Sequence, residues 1–171
     1  MSTFDEQQLR FVFPDHWDAE RFDDPGKPSI NFFKPVDFVV ELSERTLFIE
    51  VKDPSNTNAP QANRDDFLRQ MRTKTLIHDH LVPKARTSWA FLRLMKRAEK
   101  PITYIVVIGA DSLRIEPLLW SNFTARLKQR LSQEIDAPWP LQYVDQCIVI
   151  PTSDLSRHLP GVTVQRLAAT P

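Results

Sequence analysis

Two short runs of β-forming residues, at 38–42 and 46–51, stand on either side of a polar turn at 43–45. In each run apolar side chains recur at every second position, which is the period of a half-buried strand. The pattern therefore predicts a β-hairpin. Charges interrupt it at Asp37, Glu50 and Lys52, and they need a reason because an unpaired buried charge is costly.

The alternation assigns these charged residues to one face of the hairpin. We expect an even-membered turn, such as residues 44–45, because a shift by one residue would turn the acids into the core. That register places Lys52 opposite Asp37 and Glu50 opposite Val39. The face away from the alternating apolar residues then carries Asp37, Val39, Glu41, Phe48, Glu50 and Lys52.

The carboxylates of Asp37 and Glu50 and the ammonium of Lys52 would converge on one patch. Two carboxylates with a few waters suit a hard cation such as Mg²⁺. A metal ion held there could polarise a phosphate and lower the pKa of a bound water. Lys52 could stabilise negative charge or orient that water. The alternative is a salt-bridged hairpin with no chemistry.

This constellation resembles the catalytic motif of the PD-(D/E)xK, or restriction-endonuclease-like, nuclease superfamily. The match consists of Asp37 behind a proline, a short hairpin, and then Glu50-Val51-Lys52. One valine separates the proline from Asp37, a departure that the superfamily tolerates. The resemblance implies that Asp37, Glu50 and Val51 contribute metal ligands for Mg²⁺ (or Mn²⁺) and that Lys52 assists the hydrolytic water.

The resemblance also implies a fold. We expect one α/β domain over residues 1–171, with a mixed central sheet flanked by helices and a restriction-endonuclease-like core. A helical insertion would follow the catalytic hairpin. In this fold a first helix sometimes lends a glutamate to the metal. Residues 4–24 are predicted to be helical with an interruption at Pro14, which makes Glu20 the candidate and Glu6 the second choice. A solvated helix acid is the alternative for either. The strand before the hairpin would be residues 30–33.

Two amphipathic helices are predicted at residues 61–81 and 84–97, separated by Pro83. Residues 61–100 hold 10 basic and 4 acidic residues, although the whole chain is neutral. This local excess predicts contacts with nucleic-acid phosphates through Arg69, Arg72 and Lys74. A solvated helix surface is the alternative.

One residue of the first helix is a further candidate for the site. Several exonuclease-like branches of the superfamily place a Gln-x-x-x-Tyr pair on the helix that follows the catalytic strand. Gln70 fits the glutamine, but Lys74 stands where the tyrosine would be. Gln70 is therefore predicted only to line the site, and membership of that branch is in doubt.

The second half of the chain predicts the rest of the sheet. Residues 102–109 are almost continuously apolar, which is typical of a central strand covered on both faces. A helix at 121–133, a second buried strand at 145–150, a helical turn at 153–158 and an extended segment at 162–164 follow. This order indicates a mixed sheet with helices on its faces.

The composition argues against several other kinds of site and structure. There are three glycines and no G-x-x-x-x-G-K-[ST] segment, which argues against a phosphate-cradling loop. Cys147 is the only cysteine, so it predicts a buried structural thiol and no intrachain disulfide. His78 and His80 would point in different directions on a helix and chelate a metal poorly. Without a long apolar run, no membrane span is predicted, and a cytoplasmic protein is expected.

Three functions follow from these observations. The first is a metal-dependent nuclease that hydrolyses phosphodiester bonds of nucleic acid, with DNA the expected partner, in defence, repair or mobile-element processing. The second is a nuclease-fold protein that binds nucleic acid without turnover. The third is a protein-interaction subunit of a larger complex. Assembly as a homodimer or within a larger complex stays open.

Overall fold

The computed structural model describes residues 1–24, 33–133 and 137–168. The strands are β1 (Ser2–Glu6), β2 (Leu9–Phe13), β3 (Asp18–Arg21), β4 (Phe38–Glu41), β5 (Thr46–Lys52), β6 (Ile102–Ile108), β7 (Gln146–Pro151) and β8 (Thr163–Arg166). The α-helices are α1 (Gln61–Thr73), α2 (Val82–Leu94), α3 (Pro117–Ser132) and α4 (Leu155–His158). A π-helical segment, Leu76–Leu81, precedes α2, and a short 3-10 turn, Thr152–Asp154, precedes α4.

A mixed five-stranded sheet forms the centre of the fold, in the order β3-β4-β5-β6-β7. The pairs β3–β4 and β4–β5 are antiparallel, whereas β5–β6 and β6–β7 are parallel. Every residue of β6 is buried, as its continuous apolar run predicts for a central strand. The helical crossover from β5 to β6 makes their parallel pairing possible.

The predicted hairpin is confirmed, but its register differs by two residues. Phe38 pairs with Ile49 and Glu41 with Thr46, and the N–H of Leu42 donates to the carbonyl of Arg45. The tight turn is therefore at residues 43–44, and continuing the register sets Asp37 opposite Glu50 rather than Lys52. Both turns have an even number of residues, so each side chain keeps its predicted face.

The N-terminal region corrects a prediction, because residues 2–21 form three strands and not a helix. In β2 the side chains of Leu9, Phe11 and Phe13 are buried while Arg10 is exposed, which is the period of a strand. Gln7 has a positive φ of 55° at the turn between β1 and β2. The strand predicted at 30–33 lies outside the described residues except for Phe33, which is not in a strand. The strand beside the hairpin is β3.

The central sheet is covered differently on its two faces. On one face α1, α2 and α3 pack over a core that includes Val39, Phe48 and Tyr104. On the other face a three-stranded antiparallel sheet, β1-β2-β8, packs with α4 over a core that includes Phe38 and Ile49. The expected helices therefore cover one face, and a second sheet covers most of the other.

The helical region divides at a different residue from the one predicted. Helix α1 ends at Thr73, where Lys74 adopts a left-handed conformation with φ of 69°. The π-helical segment then continues directly into α2, whose first turn contains Pro83. The break therefore lies at Lys74 and not at Pro83.

The predictions for the second half of the chain are largely confirmed. Helix α3 begins four residues before the predicted start, and β7 and the helical turn at 152–158 lie close to their predicted positions. The predicted extended segment is β8, which pairs with β2. Cys147 is buried, and burial raises the pKa of its thiol to about 12, as expected for an unreactive structural cysteine.

Candidate functional site

Two carboxylates and two ammonium groups meet at the end of the central sheet where the parallel strand β5 terminates. Lys52 and Glu50 lie on the same face of β5, and Lys52 Nζ is 2.7 Å from Glu50 Oε1. Asp37 lies one residue before β4. Lys84 Nζ, from α2, lies 2.9 Å from Asp37 Oδ1 and 2.8 Å from Glu50 Oε1. The structure thus brings Asp37, Glu50 and Lys52 together and adds Lys84.

Main-chain contacts fix Asp37 in this position. The N–H of Val51 donates to Asp37 Oδ2 at 2.5 Å, so the aspartate reaches across to β5. The preceding residue, Val36, donates its N–H to Ser88 Oγ at 2.9 Å, which ties the start of β4 to α2. Only 4% of the Asp37 side chain is exposed. Val51, predicted as a metal ligand, has only its main-chain carbonyl to offer a cation.

Glu50 is the most deeply buried charge of the group. Its side chain has no exposed surface, and its Oε2 atom has no hydrogen-bond partner. Burial, followed by the nearby Asp37, raises the pKa of Glu50 to about 7, although Lys52 and Lys84 oppose the rise. A carboxylate held in this way costs stability unless a further cation or a proton compensates it.

Lys84 was missed by the sequence reasoning, although a signal for it exists. It lies three residues after Leu81 and four before Ser88, and both of those residues are buried. A lysine at this place in the apolar repeat of a helix points towards the core. Burial lowers its pKa, but Glu50 and Asp37 outweigh burial and hold the pKa of Lys84 above its usual range. The lysine therefore stays charged.

A second group of carboxylates lies on another side of Asp37. Glu6, at the end of β1, and Asp23, just after β3, each present an oxygen within 4.8 Å of one another and of Asp37. Arg21 bonds both, with Nη2 2.5 Å from Glu6 Oε2 and Nε 3.2 Å from Asp23 Oδ1. Within the described ranges this is the only group of three or more metal-ligating side chains so closely spaced.

Mutual repulsion and burial perturb this second group. Burial, then the neighbouring Asp37 and Asp23, raise the pKa of Glu6 to about 7. Burial and Asp37 likewise raise the pKa of Asp23. Sequence reasoning had Glu6 as a second choice, on a helix that is really a strand. No local pattern marks Asp23, because its position depends on the pairing of β3 with β4.

The structure does not bring Glu20 or Gln70 into this cluster. Glu20 lies on β3 and pairs with Arg97 at 2.6 Å, and the same arginine pairs with Glu41. The helix that was expected to present Glu20 is absent from residues 2–21. Gln70 donates its side-chain amide to Asp66 within α1. The contacts described for these two residues are thus with Arg97 and with Asp66, and their predicted roles at the site stay predictions.

The predicted nucleic-acid contacts lie apart from the acidic cluster. Arg69 pairs with Asp66 one turn earlier on α1, and Arg72 is exposed, with its carbonyl accepting from Arg126 of α3 at 3.5 Å. Lys74 faces a cavity of about 150 Å³ between the C-terminal ends of α1 and α3. That cavity is lined by Lys74, Ile77, His78, Arg126, Gln129, Arg130 and Gln133.

The histidines of the π-helical segment do not form a metal site with described carboxylates or cysteines. His78 lines the basic cavity, and His80 is exposed. Partial burial, then the positive charges of Lys52 and Lys34, lower the pKa of His80. Positive charge near this histidine therefore favours its neutral form.

Comparison with protein-family models, with curated proteins and with solved structures finds no match. Among the described helices, none combines the length and the apolar character needed to cross a lipid bilayer.

Proposed function

We propose that this protein is a metal-dependent nuclease that hydrolyses phosphodiester bonds of DNA with Mg²⁺ or Mn²⁺. The observation that carries the proposal is the convergence of Asp37, Glu50 and Lys52 in one buried cluster at a sheet end. Apolar side chains are enough to form the core of the protein, and these buried charges lower its stability. Such a cost is common at functional sites, where charges are held for chemistry.

The topology supports a restriction-endonuclease-like core within this proposal. Strand β3 supplies the strand that the resemblance requires beside the catalytic hairpin, and β4–β5 is that hairpin. A helical segment, residues 61–94, then crosses over to the parallel strand β6. The site lies where β5 ends, and ligands of α/β sheets are usually bound beyond the carboxyl ends of the parallel strands.

The residues present suit a divalent cation with oxygen ligands. Asp37 is shared by two groups of acids, with Glu50 on one side and Glu6 and Asp23 on the other. Glu50 Oε2 is buried without a partner, and burial among carboxylates raises the pKa of Glu6 to about 7. A bound cation would polarise a phosphate oxygen and lower the pKa of a water molecule. Asp37 would hold it, with Glu6, Asp23 and Glu50 as the available partners.

Lys52 has the position needed to act on a phosphate. Its ammonium donates one hydrogen bond to Glu50, and an ammonium carries three donors. About a fifth of its side chain is exposed, so the remaining donors are accessible to a substrate. Lys52 would hold the attacking water or a phosphate oxygen, and its fixed positive charge would stabilise the charge that develops during hydrolysis.

The basic cavity provides a contact for the rest of the DNA backbone. Lys74, Arg126 and Arg130 line it together with two glutamine side chains, and none of the described residues that line it is acidic. Such clusters bind phosphates without reading sequence. Arg69, by contrast, is neutralised by Asp66. We therefore assign the backbone contact to Lys74 and Arg126 rather than to Arg69.

The experiment incubates the purified protein with labelled single-stranded, duplex and branched DNA, and with RNA, in Mg²⁺, Mn²⁺ or EDTA. We expect cleavage of DNA that requires the metal. Asp37→Asn and Glu50→Gln should abolish it while preserving binding, because each removes a negative charge that repels DNA. Asp18→Asn, at an exposed residue of β3, is the matched control and should cut like the wild type.

An inactive nuclease-fold protein that binds nucleic acid is the second candidate. The existing ion pairs of Asp37 and Glu50 with Lys84 favour it, since they neutralise the two acids without any metal. Binding of DNA with the same affinity in EDTA and Mn²⁺, with no cleavage of any substrate, would establish this candidate and exclude nuclease activity.

A further inference from the structure

Lys84 occupies the position that a cation would take between Asp37 and Glu50. Its Nζ atom lies within 2.9 Å of an oxygen of each carboxylate, so the ammonium bridges the two acids with positive charge. Four fifths of the Lys84 side chain is buried, and helix α2 fixes its main chain. The lysine is thus built into the fold at this point.

We infer that Lys84 is a positioning residue whose ammonium takes the place of a second divalent cation between Asp37 and Glu50. The inference rests on the metal site proposed above. It predicts that the protein binds one divalent ion, which Asp37 holds together with Glu6 and Asp23. Glu50 then serves to retain Lys52 and Lys84 rather than to bind the metal.

The balance of formal charge supports this assignment. With both carboxyl groups ionised, Asp37 and Glu50 are matched by Lys52 and Lys84, so this quartet is neutral. A divalent ion added between the two acids would give this quartet two positive charges in a place where Glu50 is fully buried. Uncompensated buried charge is strongly unfavourable. The ion would therefore enter only if Lys84 left.

The groups on the other side of Asp37 carry an excess of negative formal charge. Glu6 and Asp23 bring two negative charges, and Arg21, which bonds both, brings one positive charge. With the neutral quartet included, the whole cluster carries one negative charge in excess. A divalent ion reverses this excess to one positive charge, which a single phosphodiester group would neutralise. One ion and one substrate phosphate therefore balance the site, whereas two ions do not.

Mn²⁺ titration by calorimetry tests the inference, since it counts bound ions without any need for activity. We expect one ion for the wild type. Glu6→Gln should weaken binding by at least about tenfold, the lower end of the loss seen for outer-shell partners of a metal. Glu50→Gln should leave the count at one and the affinity nearly unchanged. The reverse result, with Glu50→Gln losing the ion and Glu6→Gln keeping it, would show that the metal displaces Lys84.

Replacement of Lys84 provides a second test of the inference. Lys84→Met opens the position between Asp37 and Glu50, so this variant should bind two ions, and Lys84→Arg should still bind one. Because the two acids lose a partner, Lys84→Met should also melt lower than the wild type in EDTA and gain more from Mn²⁺. Lys128→Met, at an exposed position of α3, is the control and should match the wild type in both measurements.

These outcomes separate the inference from the proposed function. Two ions bound to the wild type, or one ion of unchanged affinity bound to Lys84→Met, would overturn the role of Lys84 and leave the nuclease intact. A wild-type protein that binds no Mn²⁺ at millimolar concentration would remove the metal site itself. If Lys84→Met is unfolded in EDTA, the comparison of Glu6→Gln with Glu50→Gln still decides the position of the ion.

Discussion

Lys52 Nζ lies 2.7 Å from Oε1 of Glu50, two residues earlier on the same strand. Residues two apart on a strand share a face, so this pair needs no other element to form. Its two members differ in exposure, because Glu50 is fully buried while about a fifth of Lys52 reaches the surface. The buried acid therefore holds the lysine at the boundary between core and solvent.

Replacement of Lys52 by alanine should separate catalysis from metal binding. An ammonium is not a metal ligand, so Mn²⁺ affinity measured by calorimetry should change little. The rate of DNA cleavage at saturating metal should fall about 10²- to 10³-fold, the usual effect of losing one electrostatic stabiliser. Lys128→Ala is the control. Cleavage at the wild-type rate by Lys52→Ala would remove this residue from the mechanism.

The raised pKa of Glu50 predicts that stability falls as pH rises. Glu50 is protonated in both folded and unfolded protein below its ordinary pKa of 4.5, and its folded pKa is about 7. Between these values only the unfolded chain loses the proton, so the unfolding free energy decreases, by at most about 3 kcal/mol at 1.36 kcal/mol per pKa unit. Above about pH 7 the effect of Glu50 on the unfolding free energy is constant, because both states have lost the proton.

Thermal denaturation in EDTA measures this effect as the difference between the wild type and Glu50→Gln. The variant should gain stability relative to the wild type between about pH 5 and pH 8, because it has no proton to lose at this position. Glu116→Gln, at an exposed position before α3, controls for the lost charge. A difference that is independent of pH would mean that Glu50 titrates normally.

A second buried acid, Asp53, depends on a partner from the far end of the chain. Its side chain has no exposed surface, and Arg166 donates to both of its oxygens at 2.9 and 3.0 Å. Arg166→Met leaves Asp53 buried without a partner and should cost about 3 to 5 kcal/mol in urea unfolding. Addition of Asp53→Asn should restore part of the loss, since it removes the buried charge. Arg157→Met, on the exposed side of α4, should change stability little.

The basic cavity predicts a change in how DNA binding depends on salt. Lys74→Gln and Arg126→Gln should each weaken binding of labelled duplex DNA. Each should also reduce the slope of log affinity against log salt by about 1. The reason is that a variant with one phosphate contact fewer releases fewer counterions when it binds DNA. Anisotropy in EDTA between about 50 and 200 mM salt measures the slope. Arg69→Gln should have a smaller effect, because Arg69 is already paired with Asp66, and so should Arg45→Gln, at the exposed position beside the hairpin turn. Equal slopes for all four variants would make the cavity an ordinary solvated surface.

The sequence alone determined the hairpin, its even-membered turn and the shared face of Glu50 and Lys52. These features follow from the two-residue period of a strand, which acts over a few neighbouring residues. The sequence also determined the buried strand β6, because a continuous apolar run between breaks fits a strand covered on both faces. Periodicity is weaker in short segments, and the helix predicted for residues 4–24 was wrong for that reason.

Only the tertiary structure decided which partners meet at the site. Turns at residues 43–44 and 44–45 both preserve the faces, so packing of the whole sheet, rather than local pattern, set Asp37 opposite Glu50. Lys84 lies 47 residues after Asp37 and reaches it only because α2 packs on this end of the sheet. Glu6 ends a strand of one sheet, and Asp23 follows a strand of the other. Charges so distant along the chain interact only after the core has formed. The spacing of residues along the sequence therefore does not predict these contacts.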